Sequence, residues 1–157
     1  MLIIKMKNII YRLLFLLPFC YGCTELNDNP IAQIKYGTSF GMCAGYCKHD
    51  MVIKPNKITY NCSGWTNSVE PITRTESLNG VGWDSIKTDF NLDAFFELPE
   101  VIGCPDCADG GAEWLEIELT TGETHKVTFE YSNEPDFIKP QIERLRKMLS
   151  KNNCNDL

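Results

Sequence analysis

The chain has 157 residues, 43% of them apolar and 23% charged, with a formal net charge of −6. That is the length of one domain and leaves no room for two. An acidic chain without clustered Lys and Arg argues against nucleic acid as a partner and against attraction to anionic lipid through a basic face.

The apolar residues are unevenly placed along the chain. Sixteen of the 22 residues from Met1 to Gly22 are apolar, with Lys5, Lys7 and Arg12 the only charges, against 52 of the 135 from Cys23 onward. The run from Leu13 to Phe19, behind a basic stretch, is too short to cross a hydrocarbon core of roughly 30 Å and has the form of a secretory signal. Residues 1–22 are therefore expected to be a signal peptide. Its removal takes away three basic residues and no acidic one, so −6 becomes −9.

The segment ends Leu17-Pro18-Phe19-Cys20-Tyr21-Gly22-Cys23-Thr24. This resembles a bacterial lipobox, in which a small residue precedes the cysteine that is lipidated and becomes the new N-terminus. Cys20 stands where an aliphatic residue is expected, and behind bulky Phe19 it is the poorer acceptor. Cys23 is the expected lipidation site. Acyl chains there would hold the domain at a membrane surface without a transmembrane helix, with residues 23–30 as a short polar tether. Simple secretion, or release into the periplasm, is the alternative.

A single α+β domain is expected over residues 31–157. Ile31 to Phe40 has β-rich composition and runs into small residues from Gly41 to Gly45, a turn or irregular loop. Lys48 to Lys54 and Lys57 to Ser63 flank Pro55-Asn56, a hairpin turn. Pairing Ile53 with Ile58, Met51 with Tyr60 and His49 with Cys62 gathers one apolar face and leaves the other wet. Glu70 to Leu78 is a weaker strand ending at Asn79-Gly80. Trp83 to Leu98 reads as helical, broken at Asn91, which would cap a second short helix. Glu113 to Leu119 and His125 to Tyr131 form a second hairpin around Thr121-Gly122-Glu123, placing Ile117 opposite Val127, Leu115 opposite Phe129 and Glu118 opposite Lys126. Ile138, Ile142, Leu145 and Leu149 mark a terminal amphipathic helix. The expected architecture is an antiparallel sheet built from two hairpins with helices packed on one face.

The stretch Ser39-Phe40-Gly41-Met42-Cys43-Ala44-Gly45-Tyr46-Cys47 before a hairpin, with Asp109-Gly110-Gly111 before a second hairpin and a terminal helix, resembles a group of small bacterial envelope lipoproteins of unknown function that carry a Gly-x-Cys-x-x-Tyr-type motif. The resemblance implies a place in the bacterial cell envelope. It brings no catalytic residues with it.

Cysteines are the one candidate source of chemistry. Cys43, Cys47, Cys62, Cys104, Cys107 and Cys154 remain beyond the signal, an even number that in an exported domain reads first as disulfides. The hairpin register makes Cys47–Cys62 the first pairing to expect. Cys104 and Cys107 would close on each other or reach Cys43, and Cys154 would be free or tie down the tail. Redox catalysis by Cys104-Pro105-Asp106-Cys107 is the sharper reading, but such a motif needs its first thiol at a helix N-terminus, and Ala108-Asp109-Gly110-Gly111 is a poor helix start. Zinc held by the same pair with Cys43, Cys47 and His49 is opposed by the oxidising compartment and by the three residues between Cys43 and Cys47, one more than a Cys-x-x-Cys knuckle has. His49 and His125 read as hydrogen-bonded core histidines. Asp106, Asp109, Glu113, Glu116 and Glu118 form an acidic stretch without EF-hand spacing, and a solvated strand face explains the glutamates. Asn61-Cys62-Ser63 fits a glycosylation acceptor, which carries no meaning in a bacterial lipoprotein. With no nucleophile elbow, phosphate loop or cofactor motif, the expected role is non-catalytic: binding or structural support, with the membrane and an envelope protein as partners. A thiol-disulfide oxidoreductase using Cys104 and Cys107 is the alternative.

Overall fold

The computed structural model describes residues 29–66, 69–152 and 154. The signal peptide, the Cys23 lipidation site and nearly all of the tether fall outside the described residues.

Strands β1 (Ile31–Ser39), β2 (Lys48–Lys54), β3 (Lys57–Ser63), β4 (Ile72–Ser77), β5 (Val101–Ile102), β6 (Ala112–Leu119) and β7 (Thr124–Glu130) form, the alternation of inward apolar and outward polar positions being clearest in β3, β6 and β7. They join into one seven-stranded sheet in the order β4-β3-β2-β1-β6-β7-β5, larger than the two hairpins expected. Both hairpins are present, and β1 lies between them, antiparallel to β2 and to β6. Every pairing is antiparallel except the short β5–β7 contact, which is parallel.

The β2–β3 register is the expected one, with Ile53 opposite Ile58, Met51 opposite Tyr60 and His49 opposite Cys62. The β6–β7 register is not: Ile117 faces His125, Leu115 faces Val127 and Glu116 faces Lys126. Gly122 is the reason. Its left-handed φ of 88° suits the last position of a three-residue loop, Thr120 to Gly122, closed by the Leu119 amide donating to the Glu123 carbonyl at 2.8 Å. The loop thus sits one residue earlier than expected, which slides the register by two. A slide of two keeps every side chain on its own face, so the inner face survives while its partners change.

Three α-helices among the described residues follow the same logic. Helix α1 (Gly80–Lys87) starts at Asn79, whose side chain accepts from the Gly82 amide at 2.8 Å. Asp89 then takes a left-handed φ of 70° and ends the helical run. Asn91 restarts it by accepting from the Ala94 amide, capping α2 (Leu92–Phe96). Helix α3 (Lys139–Ser150) carries Pro140 in its first turn, where the missing N–H costs nothing, and buries Ile142, Leu145 and Leu149. No helix among the described residues is long and apolar enough to cross a membrane.

Buried residues of all three helices share one core cluster with a single face of the sheet. That face is laid out in rows across the strands. One row runs Ile58, Ile53, Ile34, Ile117, and the next Tyr60, Met51, Tyr36, Leu115, Val127. Each fully buried aliphatic side chain there contributes on the order of 1.5–3 kcal/mol over an exposed one. The opposite face is polar, tied by Lys35 to Glu116 at 2.7 Å, Gln33 to Glu118 at 2.9 Å and Asn61 to Asp50 at 2.7 Å. There the Trp114 ring packs against Gly37, where any Cβ would overlap it.

Candidate functional site

One further row along the inner face, about 7 Å on at the usual rise per strand residue, the chemistry changes. The row reads Cys62, His49, Thr38, Glu113, Phe129. Glu113 was expected on a solvated strand face, yet it is 0% exposed. It falls on the same parity as Leu115 and Ile117, and that parity turns it into the core.

A buried carboxylate must be paired, and Glu113 is. The Arg146 Nε donates to its Oε1 at 2.9 Å and Nη2 donates to Oε2 at 2.8 Å, a bidentate fork from α3. The Tyr36 hydroxyl from β1 also donates to Oε1, and the Ser132 amide donates to Oε2 at 3.1 Å. The same Arg146 Nη2 reaches the Glu134 carboxylate at 2.7 Å, and the guanidinium lies 5.6 Å from the Tyr131 ring centre. Burial, with the adjacent Glu113 charge, pushes the Tyr36 hydroxyl far above its ordinary range. The hydrogen bonds that Arg146 donates to Glu113 push its guanidinium upward against the opposing effect of burial. Burial pulls Glu134 upward, but its own backbone amide and Arg146 together hold it below the usual carboxylate value. The network therefore fixes Tyr36 neutral and Arg146 charged, and it stitches α3 to β1, β6 and the turn after β7.

Beside this network lies a crevice of about 160 Å³ lined by Thr38, Phe40, His49, Tyr131, Arg146, Leu149 and Ser150. Ligand pockets commonly run from roughly 300 Å³ upward, so this one suits a few waters or a very small molecule. His49 Nε2 is shielded there and has no hydrogen-bond partner among the described residues, unlike the satisfied core histidine expected. Burial lowers its pKa below 6.5, against the opposing pull of the Tyr46 carbonyl and the Asp50 charge. His125 does match expectation: its Nε2 lies 3.0 Å from the Leu98 carbonyl, and its ring packs on Phe95 and Phe96.

The six described cysteines stand in three pairs at disulfide distance. Cys47 pairs with Cys43, Cα atoms 5.6 Å apart, rather than with Cys62. It lies one residue before β2, at the end of the tight Gly41–Tyr46 loop, and closes back on that loop. Cys62 points inward from β3 and meets Cys154 beyond α3, Cα atoms 6.4 Å apart and 92 residues along the chain. Cys104 pairs with Cys107, Cα atoms 5.4 Å apart.

Two cysteine loops sit side by side at this end of the sheet. The Gly41 amide donates to Asp106 Oδ1 at 3.0 Å, and the Phe40 ring packs edge-on against Tyr131. Gly111, with φ of 87°, leaves the space into which that Phe40 ring fits. Trp65 Nε1 donates to the Phe40 carbonyl at 2.6 Å, and Lys48 lies 3.8 Å above the Trp65 ring centre. Cys104 and Cys107 are both exposed, but no helix starts at Cys104. Asp106, Ala108 and Asp109 are all left-handed, and the Cys104 amide is taken by the Glu130 carboxylate at 2.8 Å. A helix N-terminus would lower the thiol pKa, whereas a carboxylate at the amide works against a thiolate. The acidic stretch does not converge either: Glu113 faces the core, while Glu116 and Glu118 serve Lys35 and Gln33 on the other face. No protein-family model matches the chain, and no curated protein matches it.

Proposed function

We propose that this chain is a non-catalytic binding or structural module of the bacterial cell envelope, held at the membrane by acylated Cys23 and akin to the small envelope lipoproteins it resembles. An envelope protein is the expected partner, and the three cysteine pairs are disulfides formed in an oxidising compartment. One observation carries the reading: the charged and hydroxyl groups at the polar end are committed to one another, and the one buried nitrogen without a partner among the described residues, His49 Nε2, faces a crevice of only about 160 Å³. Arg146 is paired with two carboxylates through Nε and Nη2, the Tyr36 proton is held by Glu113, and every described cysteine faces another. A site built for catalysis keeps a nucleophile, acid or base open to substrate. Membrane fractionation of the full chain and of Cys23→Ala tests the anchor. Wild type is expected with the membranes and Cys23→Ala in the soluble fraction; equal retention would refute it.

The exposure of Cys104 and Cys107 supports a second reading, thiol-disulfide exchange. Insulin-reducing activity that disappears in Cys104→Ser would establish it in place of the first.

A further inference from the structure

The two edges of the sheet differ. On one side β5 is two residues long, whereas on the other β4 presents six residues in unbroken register with β3 and no strand beyond it among the described residues. Natural sheets commonly blunt such an edge with a bulge, a proline or charged side chains; Ile72–Ser77 has no bulge or proline, and its two charges, Arg74 and Glu76, are of opposite sign and so can pair across a matching edge.

Its hydrogen-bonding groups can be assigned. The Leu78 amide donates to the Asn56 carbonyl at 3.0 Å, which continues the β3–β4 register by one pair and makes it a hydrogen-bonded one. In an antiparallel ladder such pairs alternate. Glu76, Arg74 and Ile72 thus bond inward to β3, and the amides and carbonyls of Thr73, Thr75 and Ser77 point outward. All three of these residues are exposed.

We propose that β4 pairs antiparallel with β4 of a second copy of this chain, about a two-fold axis at Thr75, so that two sheets become one. Charge complementarity selects this occupant and this register. With the axis at Thr75, Arg74 of each copy faces Glu76 of the other, twice, while Thr75 faces Thr75 and Thr73 faces Ser77. Outward-pointing groups then meet outward-pointing groups at all three of those positions. An axis at Arg74 would oppose two arginines, and an axis at Glu76 two glutamates. An axis between residues would set an outward-pointing residue against an inward-pointing one and break the ladder. The pairing is isologous and closes at two copies, leaving only the short β5 edges outermost. It holds whether the domain binds a ligand or supports a complex.

Single cysteines read this register directly. In the paired state the two copies of residue 75 occupy a hydrogen-bonded position with Cα atoms about 5.5 Å apart, within disulfide range. The two copies of residue 73 lie about four residues apart along the strands, on the order of 13 Å. The full chain carrying Thr75→Cys, treated with a mild oxidant and run without reductant, is expected to give at least tenfold more thiol-reversible dimer than Thr73→Cys. Arg74→Glu should cut the Thr75→Cys dimer severalfold, and adding Glu76→Arg should restore it. Equal cross-linking at both positions, no dimer from Thr75→Cys, or a product joining it to a different protein would each overturn the proposal. So would failure of the charge exchange to restore the dimer.

Discussion

Replacing Arg146 with Met isolates the contribution of the buried network. The substitution keeps most of the aliphatic stem and removes two hydrogen bonds to Glu113 and one to Glu134. Glu113, 0% exposed, is left with the Tyr36 hydroxyl and the Ser132 amide. Charge-assisted hydrogen bonds are worth about 1.5–3 kcal/mol each, but the Arg146 side chain is 24% exposed and its attraction to Glu134 is partly screened. The cost is therefore set at about 3 kcal/mol, the low end for leaving a buried charge without its partner. For a domain of this size that lowers Tm by roughly 10 °C. Urea unfolding at pH 7 followed by circular dichroism, with the cysteine pairs intact, measures it. Glu113→Gln combined with Arg146→Met should be less destabilised than the two single losses added, because neither charge is then orphaned. A single-variant loss below about 1 kcal/mol, or strict additivity in the double, would refute this account of the network.

Two further outcomes follow from the same end of the sheet. In the chain-entropy description, the pair closing 92 residues stabilises by about 4.6 kcal/mol and the pair closing four by about 2. Cys154→Ser should therefore lower the urea midpoint at least twice as far as the Cys43→Ser/Cys47→Ser double, and a reversed order would count against the pairing. His49 is held below 6.5 in the folded chain, so the unfolded chain binds its proton first as pH falls. Stability contributed by neutral His49 is then present above pH 6.5 and lost as pH falls through 6.5 toward the lower folded value. His49→Gln should flatten stability between about pH 7 and pH 5, and an unchanged slope by thermal melting would show that burial does not disfavour the charged ring.

Local chemistry made some of this architecture legible in the amino-acid sequence and left the rest dark. The β2–β3 register could be read because a two-residue Pro55-Asn56 turn leaves no freedom in the pairing. The break at Asn91 could be read because an N-cap is a property of a few neighbouring atoms. The β6–β7 register could not, since a three-residue loop can slide by one position and only the left-handed φ of Gly122 decides where it sits. Two residues of β5 carry no periodicity at all. Glu113 was misplaced by its charge: its parity pointed inward, and the partner that makes burial tolerable, Arg146, lies 33 residues away on α3. Cys62–Cys154 was hidden for the same reason, being a meeting of two elements that only the assembled sheet brings together.

The seam where β1 lies against β6 also orders events in time. Gln33 and Glu118, bonded across it, are 85 residues apart, whereas β1 to β4 are laid side by side by successive short connections. Half of the sheet can assemble while the other half is still being made. Until the β6–β7 hairpin arrives, β1, the central strand of the finished molecule, is an outer one. The slow step is then expected to be closure of a long loop onto a waiting strand. A folding nucleus confined to the first four strands predicts that core substitutions in β2 and β3 slow folding, while those in β7 chiefly speed unfolding.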